Sequence, residues 1–227
     1  MKSGKATDSY RKRPIRSFVQ RTGRITEAQK NAFNKLWDSY GVDYEAKLLA
    51  PEELFGRKAR LTLEIGFGNG MSLAETAEKF PDEDFIGIEV HDPGVGRCMR
   101  ECEERGATNI RFFCHDAIEV LRDQLPDSSF DVVNLFFPDP WHKKKHHKRR
   151  IVQPEFIATL SSKLRRGGIF HVATDWPPYA EHIEEVMAAQ QALQASDAPL
   201  PWRPGTRFEN RGVKLGHEIW EQIFVKA

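Results

Sequence analysis

The sequence predicts an α/β fold in which a mostly parallel sheet is flanked by helices. Two observations support this: short apolar segments alternate with amphipathic helical segments, and one apolar segment runs into a glycine-rich turn. A chain of 227 residues, 40% of them hydrophobic, is long enough for one such domain with a substantial core. We therefore expect a single domain over residues 25–227, preceded by a basic and flexible arm over residues 1–24.

The predicted elements alternate along the chain. Thr26 and Gln29 fit a capping box, which predicts a first helix that contains Phe33, Leu36 and Trp37. Six strands are predicted after this helix, over residues 61–65, 84–90, 109–114, 130–137, 168–174 and 218–225. Helices are predicted between the strands, over residues 71–80, 93–105, 117–125, 153–164 and 177–191, and the Pro-rich residues 196–205 indicate a loop.

The first predicted strand ends in an acidic residue and three glycines at alternate positions, Glu64-Ile-Gly-Phe-Gly-Asn-Gly70. Glycine lets the backbone approach a ligand closely, and the helix that follows presents its N-terminus to that ligand. A dinucleotide-binding turn has the spacing Gly-x-Gly-x-x-Gly, but the third glycine comes one residue early here. The pattern resembles instead the first motif of class I S-adenosylmethionine (SAM)-dependent methyltransferases. A turn that serves only tight packing is the alternative.

Four carboxylates are predicted at the carboxyl ends of strands, where an open α/β sheet binds its ligands: Glu64, Glu89, Asp116 and Asp139. Glu89 follows Gly66 by about the interval at which an acid reaches a ribose diol. Asp116 is placed to accept from an adenine amino group, and Glu64 to attract the ammonium of the methionine part of SAM. We therefore expect a cofactor site made of Glu64, Gly66, Gly68, Gly70, Glu89, Asp116 and Asp139. Each acid alone is equally well explained as a solvated strand end.

Asp139 stands between two prolines after the fourth predicted strand, and these restrict its backbone. They hold its carboxylate where a methyl group would leave the cofactor, so Asp139 is the candidate catalytic residue. Trp141 either stacks on an extruded base or packs beneath the loop. A zinc site made of His142, His146 and His147 is disfavoured because the lysines between them repel a cation, and no metal is predicted.

Positive charge is concentrated in two segments, although the formal net charge is only +1. Residues 1–24 contain eight Lys and Arg side chains against one acid, and residues 142–150 contain six with none. This distribution indicates a polyanionic partner. No apolar run is long enough to span a membrane, and the basic N-terminus lacks the apolar region of a secretory signal. We expect a cytoplasmic protein without membrane contact, in which Cys98, Cys102 and Cys114 are free thiols.

Five segments together resemble the bacterial tRNA (guanine-N7)-methyltransferases. They are residues 64–70, 136–143, 147–153, 173–175 and 206–209. The most specific of them is Phe-Pro-Asp-Pro-Trp with the basic run that follows it. The resemblance extends from about Arg16 to the C-terminus.

The resemblance implies a Rossmann-like class I methyltransferase fold, with a mostly parallel seven-stranded sheet and helices on both faces. It implies transfer of a methyl group from SAM, with S-adenosylhomocysteine as product, to N7 of guanosine-46 in the variable loop of tRNA. Contacts with the substrate guanosine are implied for Lys143, Asp175, Thr206, Arg207, Phe208 and Glu209. Contacts with tRNA are implied for Lys145, His146, His147, Lys148, Arg149 and Arg150. No obligate protein partner is expected.

Three other functions stay open at this point. A different SAM-dependent enzyme would methylate an amino group of a nucleobase; such enzymes often have Asp/Asn-Pro-Pro-aromatic, whereas here Trp141 replaces the second proline. A non-catalytic RNA-binding protein that kept the fold is disfavoured by the intact set of strand-end acids. A nicotinamide-dependent oxidoreductase is disfavoured by the spacing of the glycines.

Overall fold

The computed structural model describes residues 16–18 and 26–227. Most of the arm predicted over residues 1–24 therefore lies outside the described residues, as does the side chain of Gln29 in the predicted capping box. The first helix, α1 (Glu27–Tyr40), begins directly after Thr26, as predicted. A short helix that the sequence analysis does not predict, α2 (Pro51–Phe55), precedes the first strand.

The described residues contain seven strands, and all six predicted strands are among them. They are β1 (Leu61–Ile65), β2 (Asp84–Glu89), β3 (Ile110–Cys114), β4 (Phe130–Phe136), β5 (Leu164–Thr174), β6 (Leu193–Ser196) and β7 (Trp220–Lys226). The strand β6 is the one that the sequence analysis misses, because its segment is short and two of its four side chains are exposed and polar or small. β5 also begins earlier than predicted, at Leu164 rather than at residue 168.

The predicted helices between the strands are confirmed within a few residues at each end. They are α3 (Met71–Lys79), α4 (Asp92–Arg105), α5 (Ala117–Asp123), α6 (Pro154–Lys163) and α7 (Pro177–Ala188). Two further helical segments are not predicted, a 3-10 helix over Lys144–Arg149 and the helix α8 (Arg207–Lys214). Both carry residues that the resemblance assigns to substrate binding, so their conformation matters for the site.

The sheet has the strand order β3-β2-β1-β4-β5-β7-β6. The pairs from β3 to β5 are parallel, whereas β7 runs antiparallel to both β5 and β6. The chain leaves β1 toward β2 on one side and later returns to β4 on the other side. This reversal opens a crevice beyond the carboxyl ends of β1 and β4, which is where open α/β sheets bind ligands.

Helices cover both faces of this sheet, as predicted. On one face, Leu73 of α3 and Met99 of α4 belong to a buried cluster that also includes Leu36 of α1. On the other face, α5, α6 and α7 contribute to a second buried cluster, which contains Val120 and Ile183. β1 is buried along its whole length, so the glycine turn that follows it is anchored to the core of the sheet.

The three cysteines are free, as expected, and Cys98 and Cys102 are buried. Among residues 16–18 and 26–227, no helix combines the length and the apolar character needed to cross a bilayer.

Candidate active site

The glycine turn after β1 is built from left-handed backbone and lines an open cavity. Gly66 and Gly68 have φ of 73° and 62°, a region that side-chain-bearing residues rarely adopt. A Cβ on Gly66 would meet open space, as expected where a ligand approaches the backbone. Gly70 differs, because a Cβ there would lie 2.2 Å from Sγ of Cys98. Gly70 is therefore needed for packing against α4, and its predicted contact with the cofactor stays a prediction.

The cavity beyond the strand ends has a volume of about 350 Å³. Five of the seven predicted cofactor residues line it: Gly66, Gly68, Glu89, Asp116 and Asp139. These residues lie at or just beyond the carboxyl ends of β1, β2, β3 and β4, so the sheet brings together residues that are far apart in the sequence. Its wall is otherwise mostly apolar, with a small number of polar groups, which is the usual composition of a site for a small organic molecule.

Glu89 both lines the cavity and holds the glycine turn. Its Oε2 accepts a hydrogen bond from the backbone N–H of Gly68 at 2.9 Å, and its Oε1 accepts from Val90 and His91 at 2.7 and 3.1 Å. Burial raises the pKa of Glu89 above its ordinary value, although these three N–H donors oppose that shift. The carboxylate is thus fixed in direction before any ligand binds, and Oε2, which accepts a single hydrogen bond, has a further lone-pair direction to offer.

Asp116 and Asp139 complete the polar part of the cavity. Asp116 is the N-cap of α5, where one carboxylate oxygen accepts from the backbone N–H of Ile118 at 3.0 Å. Asp139 is exposed at the cavity wall. Phe137 and Trp141, on either side of the Pro-Asp-Pro segment, have φ of 51° and 48°. Such left-handed conformations of residues with side chains cost energy and are typical of functional loops.

Glu64 does not line this cavity, and its predicted contact with the cofactor stays a prediction. It is only 6% exposed and lines a neighbouring cavity of about 170 Å³, together with Asn134, His171 and Arg203. Burial raises the pKa of Glu64 to about 7, with the charge of Arg203 opposing the shift. Phe136 lines both cavities, which are therefore neighbours.

Arg203 is a site residue that the sequence analysis misses. Its guanidinium donates to both carboxylate oxygens of Glu221, at 2.7 Å each, and to Oε2 of Glu209 at 2.6 Å. It also lies over the ring of Phe136, 4.9 Å from the centroid. Burial alone would raise the pKa of Glu221, but hydrogen bonds from His171 and Arg203 lower it to about 2. The only signal in the sequence is the position of Arg203 just before Thr206-x-x-Glu209.

The segment Thr206–Glu209 is the start of α8 and forms a full capping box. The Thr206 hydroxyl accepts from the backbone N–H of Glu209 at 3.1 Å, and the Glu209 carboxylate accepts from the N–H of Thr206 at 3.1 Å. These bonds and Arg203 occupy Glu209, which does not line the cofactor cavity. Phe208 does line it, with 57% of its surface exposed, whereas Arg207 lines the clefts outside it.

The remaining predicted substrate contacts, Lys143 and Asp175, do not line the cavity in this structure. Lys143 is exposed and precedes the 3-10 helix. Asp175 follows β5 and pairs through Oδ2 with Nδ1 of His217 at 3.1 Å. β5 is the neighbour of β4 in the sheet, with Ala173 opposite Phe136, so Asp175 and Asp139 follow adjacent strand ends.

The basic segment after Trp141 is structured rather than a free loop. Lys143, Lys144, Lys145 and Lys148 are exposed on the surface. Desolvation lowers the pKa of His146, and the surrounding Lys and Arg charges lower it further. His147 lies against Arg150, with 3.3 Å between Nε2 and Nη2.

Arg150 corrects one prediction, because it is only 3% exposed and cannot contact tRNA in this structure. It donates to the backbone oxygens of Pro140 and Pro178 at 3.0 and 3.1 Å, and its guanidinium lies 4.8 Å from the ring centroid of Tyr179. Burial lowers its pKa from the ordinary value. Arg150 therefore supports the Pro-Asp-Pro loop from within.

Trp141 and Arg149 hold the described residues 16–18 beside the cavity. Nε1 of Trp141 donates to the backbone oxygen of Ser17 at 3.1 Å. Arg149 donates to the backbone oxygens of Arg16 and Phe18 at 3.0 and 2.9 Å, and its guanidinium lies 3.9 Å from the centroid of the Trp141 ring. Ser17 and Phe18 line the cavity as a result. Of the two interpretations of Trp141, the structure favours packing.

No group of three or more His, Cys, Asp and Glu side chains that would suit a metal ion occurs within residues 16–18 and 26–227.

Comparisons with known proteins agree with this geometry. A family model described as "Putative methyltransferase" matches residues 58–222. The chain is 52% identical over 221 residues to the tRNA (guanine-N(7)-)-methyltransferase of Aeromonas hydrophila. That alignment covers 95% of this chain and 93% of the Aeromonas protein. It is 54% identical over 224 residues to the protein of the same name from Saccharophagus degradans, covering 96% of this chain and 98% of that protein.

Solved structures share the fold at low sequence identity. TrmN from Thermus thermophilus aligns with a TM-score of 0.55 and 16% identity, over 78% of this chain and 47% of that chain. The 16S rRNA methyltransferase KamB aligns with a TM-score of 0.54 and 12% identity, over 92% of this chain and 97% of that chain.

Proposed function

The chain belongs to the tRNA (guanine-N(7)-)-methyltransferase family, and we propose that its cavity binds SAM and methylates N7 of guanosine-46 in the variable loop of tRNA. The observation that supports this most strongly is the set of residues gathered at the strand ends. Gly66, Gly68, Glu89, Asp116 and Asp139 line one cavity of about 350 Å³, which is large enough for a nucleoside with a short side chain. We propose that residues 25–227 act as one catalytic domain in the cytoplasm, where tRNA is found.

The donors and acceptors in the cavity fit SAM. Glu89 would accept a hydrogen bond from a ribose hydroxyl, because its carboxylate is fixed by three backbone N–H groups and Oε2 still has a free lone pair. Asp116 would accept from the adenine amino group through the carboxylate oxygen that does not cap α5. The bare backbone at Gly66 leaves room for the remaining part of the molecule. Glu64 would act on the methionine ammonium only from the neighbouring cavity.

SAM, when bound, supplies a methyl group on a positively charged sulfur. N7 of guanine has an in-plane lone pair, so the proposed reaction removes no proton before attack and requires neither a general base nor a metal. Asp139 and Asp175 follow adjacent strand ends, where their negative charges would orient the base and stabilise the positive charge that develops on it. The flanking prolines, and Arg150 through its hydrogen bond to the carbonyl of Pro140, would restrict the loop that carries Asp139.

Recognition of tRNA would come from the exposed lysines of the basic segment, which are free to meet phosphates. N7 faces the deep major groove of an RNA duplex, which side chains cannot reach. An exposed base in a loop is therefore the expected target, and Phe208 at the cavity wall offers a ring for stacking.

The test is transfer of labelled methyl from SAM to total tRNA that lacks this modification, followed by digestion and nucleoside identification. We expect 7-methylguanosine as the product and position 46 as its location. A transcript with adenosine at position 46 should accept no methyl. A methylated exocyclic amino group, or no transfer despite SAM binding, would contradict the proposal and favour the two RNA-related alternatives.

A further inference from the structure

The outer surface of α8 carries cations that lack partners in the described part of the chain. Arg207, Arg211 and Lys214 line an open cleft of about 620 Å³, and none of the three side chains forms a hydrogen bond or an ion pair with residues 16–18 or 26–227. Arg97 of α4 lines the same cleft, and its carboxylate partner, Glu101, lies 4.0 Å away. Unpaired cations grouped in one concave surface indicate a binding site for an anion.

The charge of this cleft is strongly one-sided. Its lining residues include four Lys and Arg side chains and a single acid, Glu75. The rest of the lining is polar or small, apart from Met71, whose sulfur lies 3.2 Å from Nη2 of Arg97. The sequence analysis does not identify this surface as a whole, since Arg97 and Lys214 are more than a hundred residues apart and neither belongs to a basic run.

The cleft adjoins the proposed cofactor cavity. A second, overlapping cleft is lined by Arg97, Arg207 and Arg211, and it shares Gly68, His91 and Phe208 with the cofactor cavity. The basic segment after Trp141 meets the same cavity at a different part of its rim, through the residues 16–18 that it holds. Two cationic surfaces therefore border the site where the target base would enter.

We propose that Arg97, Arg207, Arg211 and Lys214 form a second phosphate-binding surface, which holds the tRNA backbone next to the target nucleotide. This inference rests on the proposed function. Arginine binds phosphate through a planar fork of donors, and three of the four cations are arginines. The exposed ring of Phe208 lies between the cations and the cavity, and an aromatic ring beside cations is the usual arrangement for an unpaired nucleotide.

Two phosphate-binding surfaces suit the reaction because the target base must leave its stack. Unstacking is unfavourable, and contacts to the backbone on both sides of the nucleotide would offset that cost. The basic segment would hold one side and the α8 surface the other. Arg207 then serves the backbone rather than the guanine ring, because it lines the outer clefts and not the cavity.

The test compares two triple variants that remove the same charge. The first is R97Q/R211Q/K214Q, which leaves Arg207 in place, and glutamine is chosen because it keeps a high helix propensity. The control is K47Q/K58Q/R166Q, three exposed cations without a side-chain partner in the described residues. Lys58 precedes β1, and Arg166 lies near the start of β5. Both are therefore at the amino ends of the strands, whereas the cavity lies beyond their carboxyl ends. Both variants and the wild type are examined for tRNA affinity over a range of salt concentrations.

We expect the slope of log Kd against log salt to flatten by about 2 in R97Q/R211Q/K214Q, because each lost phosphate contact contributes about 0.7–0.9. The control should keep the wild-type slope, and all three proteins should bind SAM equally. The double variant R211Q/K214Q should flatten the slope by about two thirds as much. Equal slopes for the first variant and the control would overturn this inference while leaving the methyl transfer of the wild type intact. A wild type that transfers no methyl to tRNA would instead overturn the proposed function.

Discussion

Arg203 donates to both carboxylate oxygens of Glu221, through Nε and Nη2 at 2.7 Å each, and so joins the loop before α8 to the strand β7. The same guanidinium donates to Glu209 and lies over Phe136, which lines both cavities. One side chain thus fixes the start of α8 relative to the end of β4, and these two segments carry Phe208 and Asp139.

Replacing Arg203 with Met should lower the free energy of unfolding by about 3 kcal/mol, because Glu209 and Glu221 would stay largely buried without their cation. Arg203→Lys should recover only part of this, since an ammonium cannot make the paired contacts with Glu221. Urea unfolding measures both, and Arg166→Met at an exposed position is the control. A loss no larger than that of the control would show that the cluster adds no net stability.

Glu64 should make stability depend on pH near neutrality. Its pKa is about 7 in the folded protein, against about 4.3 in an unfolded chain. Between these values the folded chain holds a proton that the unfolded chain has lost, so the free energy of unfolding falls as pH rises through this range. Glu64→Gln should remove this pH dependence, so its free energy of unfolding relative to the wild type should rise by about 2.5 kcal/mol from pH 5 to pH 8.

The measurement is urea unfolding of both proteins at the two pH values, with the exposed Glu104→Gln as the control. Comparison with the wild type cancels the other groups that titrate in the same range. A difference between Glu64→Gln and the wild type that does not change with pH would mean that Glu64 ionises as an ordinary carboxylate.

Glu89→Ala should weaken SAM binding about ten- to a hundredfold, because a charge-assisted hydrogen bond contributes roughly 1.5–3 kcal/mol. The substitution also frees the N–H of Gly68, which loosens the glycine turn and acts in the same direction. Isothermal titration with SAM gives the affinity, and the affinity for tRNA should change little. Unchanged SAM binding would remove Glu89 from the proposed ribose contact.

Asp139→Asn should lower the rate of methyl transfer by roughly a hundredfold or more, the effect of removing one preorganised electrostatic group. The amide keeps the shape of the side chain, so SAM and tRNA should still bind within a few fold. Single-turnover methylation with both substrates saturating separates the chemical step from binding. Asp38→Asn on the exposed surface of α1 is the matched control. A wild-type rate in Asp139→Asn would limit Asp139 to contact with the cofactor.

The exposed lysines of the basic segment should contribute to tRNA binding, whereas the buried Arg150 should contribute to the stability of the fold. K145Q/K148Q should flatten the salt dependence of tRNA binding by about 1.5, because both lysines are exposed. Arg150→Gln should keep the wild-type slope but lower the free energy of unfolding by about 1–3 kcal/mol for each carbonyl it leaves unpaired. A flatter salt dependence of tRNA binding in Arg150→Gln would instead show that Arg150 contacts tRNA.

The parts of the fold that follow from local pattern were predictable from the sequence. β1 to β4 are apolar segments with clear limits, and the glycine turn indicates that ligands bind at the carboxyl ends of these strands. α8 begins with a capping box of Thr206 and Glu209, which is visible in the sequence. No helical spacing of apolar residues follows Thr206, so the sequence pattern does not predict a helix there. β6 is short and partly exposed, and only its pairing with β7 makes it a strand.

The errors at the site come from contacts between distant residues. Arg150 is the last residue of a run of cations that predicts exposed side chains. Its guanidinium nevertheless donates to the carbonyl of Pro178, which lies 28 residues away in the sequence. Arg203, which the sequence analysis misses, lines a cavity with Glu64, although the two residues are far apart in the sequence. Such contacts between distant residues cannot be inferred from spacing alone.

The position of β7 has a consequence for synthesis on the ribosome. β7 follows β5 and β6 in the chain, yet it lies between them in the sheet. Until Trp220–Lys226 has emerged, β6 has no partner and β5 presents an unpaired edge, which is the surface from which strands of different chains associate. A nascent chain paused after Ser196 should therefore depend on shielding by a chaperone.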